Sequence, residues 1–295
     1  MTEIQVKKVG IFKCGNIGTS PFLELLLDEL ADRRDIRVRT VTTGSKMALE
    51  DVDEALPKML EFNPDLLVLI SPNTALPGPA KARETFANSG KPGIVITDAP
   101  GKRVKADLEK QGLGYIIITG DPLIGARKEF LDPTEMAVFN SNVSKVLAIT
   151  GVYRIVQTEI DKAIYAIEKG QTPTLPKLVI DITVIRDNSV LSNPYARAKA
   201  MAAYSLAEKV ADINALACFV EKDSEKYIPL VTCAHEVVQI AARLAEEARE
   251  IEKCNDSVMR KPHAKDGRLK NKTKLFIAPV FDEVPDEQGS ASVER

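Results

Sequence analysis

Tryptophan is missing altogether, histidine occurs twice and cysteine four times in 295 residues. His235 and His263 cannot by themselves build a histidine-rich metal centre. His235-Glu236 opens like the zinc-binding pattern H-E-x-x-H, but the fifth position is Gln239, and one absent ligand removes that reading. Cys14, Cys218, Cys233 and Cys254 lie far apart without a C-x-x-C pair, so they read as reduced thiols rather than a disulfide framework. Charge of one sign is also lacking. Forty Lys and Arg against 42 Asp and Glu leave a net charge of −2, which speaks against a general nucleic-acid binder, whose surface would be basic. No apolar run approaches the roughly 18 residues that span a bilayer, and no signal peptide opens the chain; the expectation is a cytoplasmic protein without a membrane partner. Neither a G-x-S-x-G elbow nor a catalytic-cysteine signature occurs. An apolar fraction of 44% and a charged fraction of 28% fit a globular chain with room for one large or two ordinary domains.

What is present starts with residues 9–21, VGIFKCGNIGTSP. A short apolar run of buried-strand length breaks at Gly15-Asn16-Ile17-Gly18 and leads into a helix near Thr19-Ser20-Pro21. Thr19 or Ser20 can cap that helix, and Pro21 suits its first turn. A strand, a glycine turn and a helix N-terminus together suit an anionic ligand, because free amides and the helix dipole point into the turn. The same residues equally make a tight packing turn, since GNIGTS matches neither G-x-G-x-x-G nor the P-loop. Cys14 beside this turn reads as a buried, inert thiol in preference to an activated one.

Strand patterns follow at 36–42, 65–70, 93–97 and 114–119, and helix patterns at 22–33, 48–62, 79–88 and 102–111. Runs such as LLVLI and YIIIT are apolar on both faces, as parallel strands covered by helices are. The alternation predicts an α/β fold: a Rossmann-like doubly wound parallel sheet with right-handed crossovers. Ligands of such sheets bind outside the carboxyl ends of the strands. Here those ends carry CGNIGTS, SPNTALPGP, DAPGKR and DPLIGARKE, stiffened bends that suit a preorganised cleft. Asp98, Asp121, Glu129 and Asp132 lie in these loops as lone carboxylates. Lys81, Arg83, Lys102, Arg103, Arg127 and Lys128 could neutralise an anionic ligand, or simply form a solvated face; Arg127 is favoured because arginine pairs bidentately.

Residues 133–169 read as helical with a break at Gly151, and QTPTLP at 171–176 as a linker. Asn193-Pro194 starts a further helix by cap and first-turn proline. Two short strands are expected at 216–220 and 227–231, then a long helix over 234–253. Asp266-Gly267 reads as a hairpin turn leading to a strand at 274–277. The resulting division is an α/β domain with an anion-friendly cleft (1–132), an oligomerising helical bundle with short strands (133–256), a small C-terminal β segment (257–278), and a disordered acidic tail (279–295).

Several segments together carry a family resemblance: KCGNIGTS, SPNTALPGPAKARE, DAPGKRVK, GARKEFLDPTEMAVFN, NPYARAKAMAA and EKCNDSVMRKPHAKDG. They resemble the F420-dependent methylenetetrahydromethanopterin dehydrogenases, in the same order over residues 4–277. The resemblance implies an archaeal enzyme of one-carbon metabolism and methanogenesis. It would move hydride reversibly between methylene-tetrahydromethanopterin and coenzyme F420, giving methenyl-tetrahydromethanopterin and the reduced deazaflavin. F420 would be a co-substrate, with neither metal nor flavin, in a cytoplasmic homohexamer. Matching the motifs puts coenzyme contacts on Cys14, Gly15, Asn16, Gly18, Thr19, Ser20, Pro72 and Asn73. Substrate contacts fall on Asp98, Arg127, Glu129 and Asn140, and no residue is assigned a catalytic proton or bond. Two rivals remain: a nicotinamide-dependent dehydrogenase, disfavoured because strand two ends in Val41-Thr42-Thr43-Gly44 without an acid for the ribose, and a non-catalytic phosphate-binding module.

Overall fold

A computed structural model describes residues 5–122 and 132–281. Five strands follow the expected order: β1 (Lys7–Lys13), β2 (Ile36–Thr42), β3 (Leu66–Ser71), β4 (Gly93–Asp98) and β5 (Gly114–Ile118). A sixth, β6 (Lys177–Ile180), follows the QTPTLP linker and pairs in parallel with β5, Ile116 opposite Leu178. The order is β2-β1-β3-β4-β5-β6, all parallel, so it reverses between β1 and β3. β3, β4 and β5 are buried along their whole length, whereas the edge strand β2 alternates. That difference is the one between a strand with helices on both faces and one at the rim.

The period of two sends neighbouring residues into two separate cores. Ile11, Val68, Ile96 and Ile116 face one side, where α5 (Pro133–Thr150) and α6 (Val152–Glu168) supply Phe139, Leu147, Val156 and Ile160. Phe12, Leu69, Val95 and Ile117 face the other, against Val52 and Met59 of α2 (Leu49–Glu61), Phe86 of α3 (Pro77–Asn88) and Leu108 of α4 (Lys105–Lys110). Gly151 separates α5 from α6 with φ +96°, a left-handed residue at a helix end.

Three expected elements need correction. α1 covers only Leu23–Leu27, not 22–33, and neither Thr19 nor Ser20 caps it. Its end is fixed by Arg33, whose guanidinium turns back onto the Leu27 carbonyl while pairing with Asp35 at 2.8 Å. The two short strands are helical. Residues 216–220 form a π-turn (Leu216–Val220) at the end of α8 (Pro194–Ala215), and 227–231 belong to α9 (Ser224–Cys254). Apolar runs of five residues do not distinguish a strand from a turn or two of buried helix. α8 does start as expected, with Asn193 accepting from the Tyr195 amide at 2.8 Å and Pro194 following. α9 is the one described helix long and apolar enough to cross a membrane by composition. Its buried stripe of Ala241, Ala242 and Ala245 packs against Ala203 and Ala207 of α8 and Val146 of α5.

The C-terminal segment turns at Asp266-Gly267 as expected, between bridges Arg260–Lys272 and His263–Leu269. Residues 274–277 form turns, however, and the strand pair is β7 (Lys270–Asn271) with β8 (Val280–Phe281). Phe281 is held under Arg268, 4.1 Å from guanidinium carbon to ring centre. Val280 and Phe281, inside the expected tail, are therefore paired; 282–295 lie outside the described residues. His263 binds this segment to the sheet domain, 2.8 Å from Glu29 through Nδ1 and 2.9 Å from Asp161 through Nε2.

Candidate active site

β3 and β4 end in proline-bearing loops beside the point where strand order reverses, and an open cleft of about 440 Å³ lies above them. Met47, Pro72 and Leu76 form one apolar wall; Ala211 and Ala215 of α8, with Phe219 of the π-turn, form the other. Alanines at 211 and 215 share one helix face and leave the gap open, while the wide turn after them carries Phe219 back over it. Lys102, Arg103 and Asp212 stand at the rim. Such a slot, apolar on its faces and charged at its edge, suits a flat ring system with an anionic extension.

Asn73 and Asp98 also line it. Asn73 accepts from the Ala75 amide at 3.1 Å, an Asx turn that fixes the loop before α3. Asp98 is 3% exposed at the end of β4, and its carboxylate takes the Ala99 amide at the start of a 3₁₀ turn (Ala99–Val104). The turn after β1 lies beneath the Met47–Pro72 wall. Gly15 has φ +79°, and a Cβ there would come within 2.8 Å of the Met47 sulfur and 3.0 Å of Pro72 Cδ. Only glycine meets both demands.

The amides at the far end of that turn are already taken. Gly18 N–H and Thr19 N–H donate to the Asp121 carboxylate at 2.6 and 2.9 Å, and the Thr19 hydroxyl donates to it at 2.6 Å. On the other side, Ser144 and Tyr153 hydroxyls donate to the Gly18 carbonyl at 3.3 and 3.2 Å. Burial pushes the Asp121 carboxyl up to about 6, against the pull of Thr19 and the two amides. Beside it, Gly120 N–H donates to the Tyr204 hydroxyl at 3.1 Å, which itself donates to the Ile180 carbonyl at 2.6 Å.

Comparison with known proteins decides the family. A family model described as methylene-5,6,7,8-tetrahydromethanopterin dehydrogenase matches residues 7–280. The F420-dependent methylenetetrahydromethanopterin dehydrogenase of Methanothermobacter thermautotrophicus is 56% identical over 274 residues, 93% of this chain and 99% of its own. The enzyme of the same name from Archaeoglobus fulgidus is 57% identical with the same coverage. The chain belongs to this dehydrogenase family. A solved structure of F420 dependent methylene-tetrahydromethanopterin dehydrogenase, in complex with methylene-tetrahydromethanopterin and coenzyme F420, superposes with a TM-score of 0.90 at 49% identity. It covers 93% of this chain and 100% of that one, so the α/β fold is the family fold throughout.

Within this dehydrogenase the residues singled out from sequence divide by depth. Pro72, Asn73 and Asp98 share the cleft. Cys14, Gly15, Gly18, Thr19 and Ser20 are buried, and only Asn16 of that turn is part-exposed. Burial pushes the Cys14 thiol up to about 11, so it stays protonated and inert. The Ser20 hydroxyl accepts from the Ile17 amide at 3.0 Å and braces the turn instead of capping a helix. Asn140 lies apart on α5, a turn before Val143 and Ser144, its amide donating to the Met136 carbonyl at 2.8 Å. Arg127 and Glu129 lie outside the described residues. Sequence reasoning missed Met47, Leu76, Phe219 and the α8 wall. The small residues at 211 and 215, four apart, were the available signal.

Proposed function

We infer that this chain catalyses reversible hydride transfer between methylene-tetrahydromethanopterin and coenzyme F420, yielding methenyl-tetrahydromethanopterin and reduced F420. The observation that carries it is the cleft: two apolar walls and a charged rim at the strand ends, in a member of this family. When bound, the deazaflavin supplies the two-electron acceptor, so the chain need supply neither nucleophile nor metal-bound hydroxide. Its residues hold and orient. Walls built from Met47, Pro72, Leu76 and Phe219 exclude water and keep two rings in face-to-face contact, about 3–3.5 Å apart at the reacting carbons. Lys102 and Arg103 answer the coenzyme's anionic extension. The Asp98 carboxylate at the cleft floor is placed to favour the positive charge that develops as the methylene carbon loses hydride.

Coenzyme contact is assigned to Asn16, Pro72 and Asn73, with Cys14, Gly15, Gly18, Thr19 and Ser20 acting from beneath as the support of that surface. Substrate contact is assigned to Asp98 and Asn140, together with Arg127 and Glu129. Residues 1–132 serve chiefly to bind coenzyme and 133–256 to assemble a cytoplasmic homohexamer, a role supported by exposed Leu216, Val220 and Ile240 on the helical region. The test is optical: oxidised F420 mixed with the protein should bleach on addition of methylene-tetrahydromethanopterin. Binding of F420 without bleaching would favour the non-catalytic module. Light scattering after gel filtration tests the hexamer.

A further inference from the structure

The geometry points to Asp121 as a positioning residue: a built-in anion that fills the turn after β1, closes it to a coenzyme phosphate, and sets the level of the cleft wall above it. In dinucleotide-binding α/β sheets, the amides after the first strand face a phosphate of the ligand. Here the corresponding amides of Gly18 and Thr19, with the Thr19 hydroxyl, converge on a carboxylate of the chain itself. Asp121 is 0% exposed, and among the described residues no ion pair balances it. Gly18 is shaped to admit it: a Cβ there would lie 2.7 Å from the Asp121 oxygen and 2.5 Å from Val143 Cγ1. The far end of the same turn, Gly15, rests on Met47 and Pro72, two residues of the cleft wall. A shift of the turn is therefore passed directly to the coenzyme-facing surface.

Three donors aimed at one carboxylate require its ionised form. Protonation places a hydrogen on an oxygen that faces donors, and one contact is lost. The titratable and charged groups that face it are Tyr153 from α6 and, behind Gly120, Tyr204 and Glu208 from α8; Glu208 lies 2.7 Å from the Thr119 hydroxyl. With ordinary values far above neutrality raised further by burial, both tyrosines stay neutral near pH 6; the acid limb is assigned to Asp121, the carboxylate those three donors hold, which burial raises to about 6. A dinucleotide coenzyme, whose pyrophosphate needs those amides, is excluded by the same contact.

The inference rests on the dehydrogenase reading for its kinetic readout only. The experiment compares the pH dependence of kcat/KM for wild type, Thr19→Val, Thr19→Ser and Asp121→Asn. Wild type should lose activity as pH falls through about 6. Thr19→Val, lacking one donor to the anion, should move that limb to higher pH, and Thr19→Ser should restore it. Asp121→Asn should lose the limb and about tenfold in kcat/KM, the scale expected when a buried donor is left unmet. An unmoved limb in Thr19→Val, or wild-type kcat/KM in Asp121→Asn, overturns the proposal. Should Asp121→Asn fail to fold, the two Thr19 variants decide alone. The amide shifts of Gly18 and Thr19 give the same titration without turnover. A wild-type protein that bleaches no F420 would sink the functional reading, while those two amides still decide on Asp121: a step near pH 6 upholds it, and flat shifts refute it.

Discussion

Replacing His263 by glutamine should remove most of the loss of stability that this protein suffers in alkali. The ring is 2% exposed, and each nitrogen faces a carboxylate: Glu29 at 2.8 Å and Asp161 at 2.9 Å. Burial alone would lower its pKa, but hydrogen bonds to Asp161 and Glu29 outweigh burial and lift it from the ordinary 6.5 to about 9. Arg33, 3.8 Å from Asp161, opposes the lift from the other side. Two and a half pH units separate the folded and unfolded values, and at 1.36 kcal/mol each the clamp is worth about 3 kcal/mol. Because the folded value is the higher one, the contribution is complete below pH 6.5 and disappears as pH rises through 9. Burial also raises the Asp161 carboxyl, so the full contribution needs a pH at which both carboxylates are ionised. Thermal unfolding at pH 7, 8, 9 and 10 measures the effect. In a chain of this length about 3 kcal/mol corresponds to roughly 6 °C. Wild type should fall by that margin relative to His263→Gln across the alkaline range. Parallel curves for the two proteins would refute the clamp, since every other alkaline titration is common to both.

Three further outcomes follow from particular contacts. Gly18→Ala forces a methyl group to within 2.5 Å of Val143 and 2.7 Å of Asp121, and should cost about 1–3 kcal/mol in denaturant unfolding; an unchanged midpoint would mean that the turn is looser than it looks. Cys14, 0% exposed with its pKa pushed up to about 11, should resist iodoacetamide in the native protein at pH 8, whereas exposed Cys233 and Cys254 label readily by mass spectrometry. Labelling of Cys14 at their rate would place it at an open surface. Phe219→Ala removes an aromatic part of the cleft wall and should raise KM for one reactant about three- to tenfold with little change in kcat, as the loss of a ring contact predicts. KM values unchanged from wild type for both reactants would detach Phe219 from the site.

How much of this was legible in the sequence depends on distance along the chain. LLVLI and GYIII announce buried parallel strands because every position is apolar, and Asn193-Pro194 announces a helix start because cap and first-turn proline act locally. β6 escaped notice for the opposite reason: four residues at the sheet edge, opening with an exposed lysine, have too short a pattern to stand out. LACFV and YIPLV misled because their apolar character was real but their period was unreadable over five residues. The candidate cleft divides along the same line. Pro72, Asn73 and Asp98 were visible as loop residues after strands, and topology alone put them at one edge.

What defeats sequence reasoning at the glycine turn is a count that has only one side. Donors can be read from GNIGTS, because a backbone that turns before a helix must leave amides unpaired. The acceptor cannot be read, because it arrives from Asp121, 103 residues further on. Sequence therefore offers a vacancy, and a ligand is the natural thing to put in it. Burying an uncompensated carboxylate is costly enough that a fold places one only where several donors already converge. The two facts are complementary: an unexplained buried acid in one loop and an unexplained set of amides in another are best tried against each other before either is given to a ligand. His263 and Glu29, 234 residues apart, obey the same logic with the charges reversed. With the chain's own anion seated after β1, Lys102 and Arg103 are the cationic side chains lining the cleft among the described residues, and kinetic dissection of the coenzyme's anionic tail should begin with them.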